Sequence, residues 1–313
     1  MKYLILILLF LGSHAVRLCG QTILPTPDYL EKANGQLQLQ GKIRMHAQDA
    51  SASFLHLFYE KLIPKSAVEW CSEKGHSQIS WEKDATLPAE GYRILVTPEK
   101  MTVRAADNAG FIYAVQSLRQ WGTREGDKLI FPCAEITDFP RVKWRSFMLD
   151  SGRQYQKVST IKKYIDMASM LKMNYFHWHL TEGLGWRIEI KRYPLLTRIG
   201  AFVGQGPEQQ GFYSQEEVKE IVSYAADLGI TVVPEIDMPG HAEAALNSYP
   251  RLGCFNIPVK VPQSGFTQNI FCAGKDSTLT FLQNVLDEVC RMFPSAYIHL
   301  GGDEAPKGNW DKC

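Results

Sequence analysis

The second half of the chain repeats one pattern of apolar and polar positions. A short apolar run ends in polar residues, an amphipathic stretch follows, and the next apolar run begins. The runs Ser146 to Leu149, Tyr175 to Leu180, Thr231 to Ile236 and Tyr297 to Leu300 predict strands, and helical apolar spacing predicts helices over Ser159 to Leu171, Gln215 to Leu228 and Leu279 to Phe293. A βα succession of this kind makes the strands parallel. From about Ile23 to Glu135 the pattern is mixed. Alternation over Tyr92 to Val96 and Met101 to Arg104 predicts half-buried strands, and Phe111 to Arg119 predicts a helix lying on a sheet. The stretch Thr137-Asp138-Phe139-Pro140-Arg141 marks a boundary, because proline holds its predecessor in extended or turn geometry. Residues 22–139 are thus expected to form a small α/β domain and 140–313 a second unit.

The start of the chain differs from both. Lys2 precedes an apolar run through Leu11, followed by the small residues Gly12, Ser13 and Ala15, the pattern of a signal peptide over residues 1–21 with cleavage near Gly20-Gln21. The run is far shorter than the roughly 20 residues of a membrane span. Cys19 raises a lipoprotein alternative, but Arg17 and Leu18 are poor predecessors for lipid attachment. An exported protein, periplasmic or extracellular, is the expectation.

Composition narrows the function classes. With 45% hydrophobic residues the chain can bury a substantial core, and Lys+Arg of 34 against Asp+Glu of 33 gives a net charge of +1, so no global field steers it to nucleic acid or an anionic membrane. Export permits disulfides. The cysteines Cys71, Cys133, Cys254, Cys272, Cys290 and Cys313 show no Cys-x-x-Cys or Cys/His spacing, so no metal or other cofactor is expected. Cys254 and Cys272 could staple the loop between them, and Cys290, inside a helical pattern, reads as a buried thiol.

Each strand of the second unit ends in chemically capable side chains: Asp150 and Arg153; His177, His179 and Glu182; Glu235, Asp237 and His241; Asp303 and Glu304. In a (β/α)8 TIM-type barrel the strand C-termini share one face, where residues distant in sequence become neighbours. A doubly wound open sheet competes, but no Gly-rich phosphate loop follows the first strand. Four such strands precede Cys313 and a barrel closes with eight, so residues 140–313 are expected to encode the first half of one.

Asp303 and Glu304 suggest glycosidic bond cleavage, in which one carboxylic acid protonates the leaving oxygen while a second group stabilises or attacks the sugar carbon. Adjacent residues cannot face each other across a sugar ring. If Glu304 is the acid, Asp303 can hold a substrate group that acts as nucleophile, and a 2-acetamido carbonyl closes a five-membered ring onto C1. A diguanylate cyclase signature shares the letters Gly-Gly-Asp-Glu but requires a following Phe, where Ala305 stands.

The segment His299-Leu300-Gly301-Gly302-Asp303-Glu304 resembles the hallmark of the family 20 glycoside hydrolases, the β-N-acetylhexosaminidases. Leu149-Asp150-Ser151-Gly152-Arg153, His177-Trp178-His179-Leu180-Thr181-Glu182 with Gly185-Trp186-Arg187, and Glu235-Ile236-Asp237-Met238-Pro239-Gly240-His241 resemble that family's motifs in the same order. The likeness extends through Gly110 to Leu118 of the preceding domain. It implies Glu304 as general acid and then base, Asp303 as the group orienting the substrate acetamide during formation of an oxazolinium ion, and retention of anomeric configuration. It further implies that Arg153 binds hydroxyls of the terminal sugar, that His241 supports the acid, and that Asp237 and Glu182 lie near it; the family usually has Asp where Glu182 stands. The implied substrate is a β-linked glycan ending in N-acetylglucosamine or N-acetylgalactosamine. A protonated Glu304 would need burial or like-charged neighbours to raise its pKa.

Two other readings stay open. His177 and His179 on one strand face also suit a metal-dependent amidohydrolase, although packing or substrate contact is the simpler role for His179. An inactive carbohydrate-binding protein or fragment is the third reading, against which the intact Asp303-Glu304 pair argues.

Overall fold

The computed structural model describes residues 22–49, 52–204, 206–207, 210–261 and 269–313. The predicted signal peptide and its cleavage site lie outside these residues.

The first domain is a sheet of eight strands: β1 (Tyr29–Leu39), β2 (Ile43–Ala47), β3 (Val68–Trp70), β4 (Ile79–Lys83), β5 (Tyr92–Val96), β6 (Met101–Ala105), β7 (Thr123–Glu125) and β8 (Lys128–Asp138), in the order β1-β8-β5-β6-β4-β2-β3 with β7 beside β8. Helices α1 (Phe54–Lys61) and α2 (Asn108–Trp121) pack on it. The α2 helix starts where Asp107 Oδ1 accepts the Gly110 N–H at 2.9 Å, a side-chain cap for an otherwise orphaned donor, so it begins three residues before the apolar spacing predicts.

The second unit alternates strand and helix: β9 (Ser146–Asp150), α3 (Val158–Met170), β10 (Tyr175–His179), a short antiparallel pair β11 (Thr181–Glu182) and β12 (Gly185–Trp186), α4 (Leu195–Arg198), α5 (Gln215–Asp227), β13 (Thr231–Glu235), α6 (Glu243–Ser248) and α7 (Asp276–Met292). Strands β9, β10 and β13 are parallel, in register Ser146↔Tyr175↔Thr231. The fourth predicted strand, Tyr297 to Leu300, forms only one parallel bridge, Glu235↔His299. It nevertheless lies alongside β13, because Ile236 N–H donates to His299 O, His299 N–H to Pro234 O and Met238 N–H to Leu300 O, each at 3.0 Å. Four successive parallel segments therefore lie side by side in sequence order. This is the winding of a barrel, since a doubly wound sheet reverses its order partway.

One face of these strands is packed and the other is open. Phe176 and Trp178 are fully buried on the helix side, whereas Met148 is 54% exposed and Tyr297 57% exposed on the side a barrel would enclose. The two domains are joined by a buried polar chain. Gln116 Nε2 donates to Ser169 Oγ at 2.6 Å, and that hydroxyl donates to Leu228 O at 2.9 Å. No described helix is long and apolar enough to cross a membrane.

Cys290 corrects the sequence expectation. Helix α7 buries Phe281, Val285 and Val289 at four-residue spacing, and Cys290, one position past Val289, is turned to solvent. The predicted staple is likewise not formed, as Cys254 and Cys272 are both free thiols.

Candidate active site

The C-terminal ends of the four segments bring Arg153, His179, Glu182, Asp237, His241, Asp303 and Glu304 into one connected cluster. Glu182 is its centre. Its side chain is fully buried, with Oε1 2.7 Å from Arg153 Nη2 and Oε2 3.0 Å from His241 Nδ1. On the far side of the imidazole, His241 Nε2 lies 3.3 Å from Glu304 Oε2 and 3.9 Å from Asp303 Oδ2. Four strand ends thus give an unbroken line of charge from the Arg153 guanidinium to the Glu304 carboxylate.

The electrostatics follow from this line. Contact with the Glu182 carboxylate raises the His241 pKa to about 9, against the opposing effect of burial, so the ring is cationic at neutral pH. Burial lifts Asp237 to about 6, opposed by the Gly302 N–H that donates to its Oδ1 at 3.2 Å. Glu235 is also buried, which would raise its pKa, yet it is held below the usual carboxylate value by His177, His179 and His299 around it. His177 Nε2 is 2.6 Å from Glu235 Oε2, and His299 Nδ1 is 3.0 Å from Oε1.

Arg153 makes the structural salt bridge to Asp150 (2.6 Å) as well as the contact to Glu182, and its side chain remains 46% exposed, so it is fixed and still presented to solvent. His179 is buried and donates from Nε2 to Thr181 O at 2.9 Å, with Nδ1 3.4 Å from Glu235. It packs behind the cluster. Of the two conditions for a protonated Glu304, burial or like-charged neighbours, the described residues do not supply burial. The Glu304 side chain is 57% exposed and that of Asp303 67%, because the described strands wall the pair on the His241 side alone.

The local backbone explains why the motif needs its glycines. Gly301 (φ +66°) and Gly302 (φ +101°) turn the chain sharply, and a Cβ on Gly301 would stand 1.8 Å from Asp237 Oδ1. His241 (φ +49°) and Glu304 (φ +44°) also occupy the left-handed region, a cost that side chains accept mainly at functional sites. A Gly301→Ala substitution is expected to destabilise the protein by about 1–3 kcal/mol in a urea titration and to displace Asp237. An unchanged midpoint with full activity would show that the turn tolerates a side chain.

Arg187 was visible in the sequence only as part of a motif. It is fully buried and donates to five carbonyl oxygens, those of Ser151, Gly152, Leu184, Ala201 and Gly211. Burial lowers its pKa to about 10. The guanidinium holds in place the loop that carries Arg153. An arginine set directly between the apolar residues Trp186 and Ile188 was the available signal.

Residues 142–313 match the glycosyl hydrolase family 20 catalytic domain, and residues 20–139 match the glycosyl hydrolase family 20 domain 2. A beta-hexosaminidase of Porphyromonas gingivalis is 39% identical over 94% of this chain and 40% of its own length, and one of Vibrio furnissii is 34% identical over 92% and 49%. The crystal structure of a beta-N-acetylhexosaminidase from Bacteroides fragilis superposes with a TM-score of 0.89 at 81% identity, over 94% of this chain and 58% of that one. The N-acetyl-beta-hexosaminidase of Streptomyces plicatus in complex with Thio-NAglucal gives a TM-score of 0.82 at 32% identity, over 90% and 59%. The chain spans about half the length of these relatives. Since the catalytic-domain match runs through every strand end that contributes to the Arg153–Glu182–His241–Glu304 line, and the preceding domain has its own match, the chain belongs to glycosyl hydrolase family 20.

Proposed function

We propose that this chain carries the acid/base and acetamide-orienting residues of a β-N-acetylhexosaminidase, which removes terminal non-reducing N-acetylglucosamine or N-acetylgalactosamine with retention of configuration. The observation that carries this reading is the placement of His241 between buried Glu182 and exposed Glu304, with Asp303 beside them. Glu304 protonates the glycosidic oxygen. The acetamide oxygen of the substrate attacks C1 as that bond breaks, Asp303 accepts a hydrogen bond from the acetamide N–H, and the closed oxazolinium ion is then opened by water that Glu304 deprotonates. The cationic His241 stabilises the Glu304 carboxylate that forms as its proton leaves. Arg153, exposed and rigid, offers a guanidinium fork to sugar hydroxyls. Membership of a glycosidase family displaces the amidohydrolase reading of His177 and His179, whose nitrogens are engaged by Glu235 and the Thr181 carbonyl.

The leader-like pattern of residues 1–21 supports action outside the cytoplasm, in the periplasm or medium. The chemistry is tested by pairing two chromogenic substrates on the full-length protein, an N-acetyl-β-glucosaminide and the β-glucoside that bears a hydroxyl in place of the acetamide. If the substrate supplies the nucleophile, kcat/KM should favour the acetamide by more than about a thousandfold, the scale of a well-placed intramolecular nucleophile. Comparable rates would overturn substrate assistance.

A further inference from the structure

Three sulfur atoms from distant positions converge behind the loop that carries His241. The Sγ atoms of Cys254, Cys272 and Cys313 all lie within 4.8 Å of one another, and Cys272 Sγ is 3.6 Å from Cys313 Sγ. All three are free thiols.

The backbone places them deliberately. Gly253 and Phe271 form an antiparallel bridge, and Cys272 N–H donates to Leu252 O at 2.9 Å, so Cys272 lies opposite Leu252, and Cys254, two residues further on, is its diagonal neighbour on the same face. The third thiol arrives on a turn: Trp310 Nε1 donates to Phe271 O at 3.0 Å and Cys313 N–H donates to Trp310 O at 3.1 Å. A backbone donor and a cation lie beside the cluster. The Gly274 N–H is hydrogen-bonded to the Cys272 sulfur, and the Lys275 ammonium donates to the carbonyls of Gly253 and Cys254.

Two kinds of link could use these atoms. A disulfide takes two sulfurs at about 2.05 Å and leaves the third without a role. Around a tetrahedral cation with metal–sulfur bonds of about 2.3 Å, neighbouring sulfurs stand about 3.8 Å apart. Cys272 and Cys313 already have that separation, and Cys254 is within reach of both. The geometry points to a thiolate metal site: Cys254, Cys272 and Cys313 bind one divalent cation of the zinc class, leaving a fourth tetrahedral position for water or a further ligand. The spacing of these cysteines in sequence carries no metal signature because three separate segments supply them.

The site ties together two pieces of the active site. Phe271 N–H donates to Pro239 O at 2.9 Å, two residues before His241, while Cys313 lies in the segment that follows Asp303-Glu304. A cation bound here clasps the loop behind His241 to the segment after Glu304, a role in positioning rather than in the reaction.

The test is metal content of the full-length protein purified without chelator, measured by plasma mass spectrometry, together with loading by cobalt(II). About one zinc per chain is expected in the wild type and less than about a tenth of that in Cys272→Ser. The exposed Cys313→Ser variant, which leaves the buried thiol in place, should surrender zinc to a chelator at least about ten times more readily. Cobalt should give a sulfur-to-metal charge-transfer band in the wild type that both variants lose. If Cys272→Ser fails to fold, Cys313→Ser carries the comparison. Absence of zinc and of that band in the wild type would overturn the proposal. So would a Cys272–Cys313 disulfide in a peptide map made without reduction.

Discussion

Glu304→Gln in the full-length protein is expected to lower kcat for a β-linked N-acetylglucosaminide by about 10²–10⁴-fold, the range for losing a positioned general acid. The loss should depend on the leaving group. A phenol that departs readily as its anion needs little protonation, so the variant should retain more activity with it than with an alkyl or sugar leaving group. The alkaline limb of the kcat profile should vanish with the carboxyl group, because glutamine has no proton to lose. Glutamine keeps the shape and can still accept a hydrogen bond from His241 Nε2, which lies 3.3 Å from the Glu304 carboxylate, so a folding defect is not expected to mimic the result. An equal loss across leaving groups would remove Glu304 from the role of acid and make it a binding residue.

The barrel-type half was legible because each strand carries a period-independent apolar run and each helix a 3.6-residue stripe. Helices α3 and α5 begin and end within one residue of the sequence reading. Helix α5 has a signal of its own, a capping box in which Glu217 N–H donates to Ser214 Oγ and Ser214 N–H to the Glu217 carboxylate. Helix α7 begins three residues earlier than apolar spacing indicates, since its first turn, Asp276 to Thr278, is polar and reads as loop. The convergence of the strand ends was legible from barrel geometry alone. Which atoms meet was not. Nothing in the spacing of Glu182 and His241 says that one carboxylate holds both the histidine and Arg153, because that contact depends on the turn through β11 and on the left-handed backbone at His241. The glycines of the hallmark motif can be understood only with Asp237 in place beneath Gly301.

Removing the Glu182 charge should have the largest effect on stability, and its size should depend on pH. In Glu182→Gln the two cations that share this carboxylate lose it together. Arg153 keeps Asp150 and is half exposed, so solvent and that partner absorb its loss. His241 is buried, and its remaining carboxylate neighbours, Glu304 at 3.3 Å and Asp303 at 3.9 Å, are more than half exposed and compensate only in part, so the pKa displacement sets an upper bound on its cost. Breaking a buried pair costs about 3–5 kcal/mol when the stranded charge must persist. An imidazole can instead shed its proton, which limits the cost to the pKa displacement, on the order of 3 kcal/mol for a fall from about 9 to the ordinary histidine value. The sign follows from the direction of the shift. A histidine whose pKa is raised by folding contributes its full stabilisation below its unfolded value, near pH 6.5, and loses it as the pH rises through 9. Urea titrations of wild type and Glu182→Gln should therefore differ by up to about 3 kcal/mol at pH 6 and converge, apart from the small Arg153 share, above pH 9.5. A gap that ignores pH would mean that the charge on His241 is not what Glu182 stabilises. Glu182→Asp separates charge from reach. The shorter carboxylate keeps the His241 pKa raised if it stays on the imidazole, but one carbon fewer cannot span from His241 Nδ1 to Arg153 Nη2, so Arg153 should lose its second anchor and KM should rise more than kcat falls.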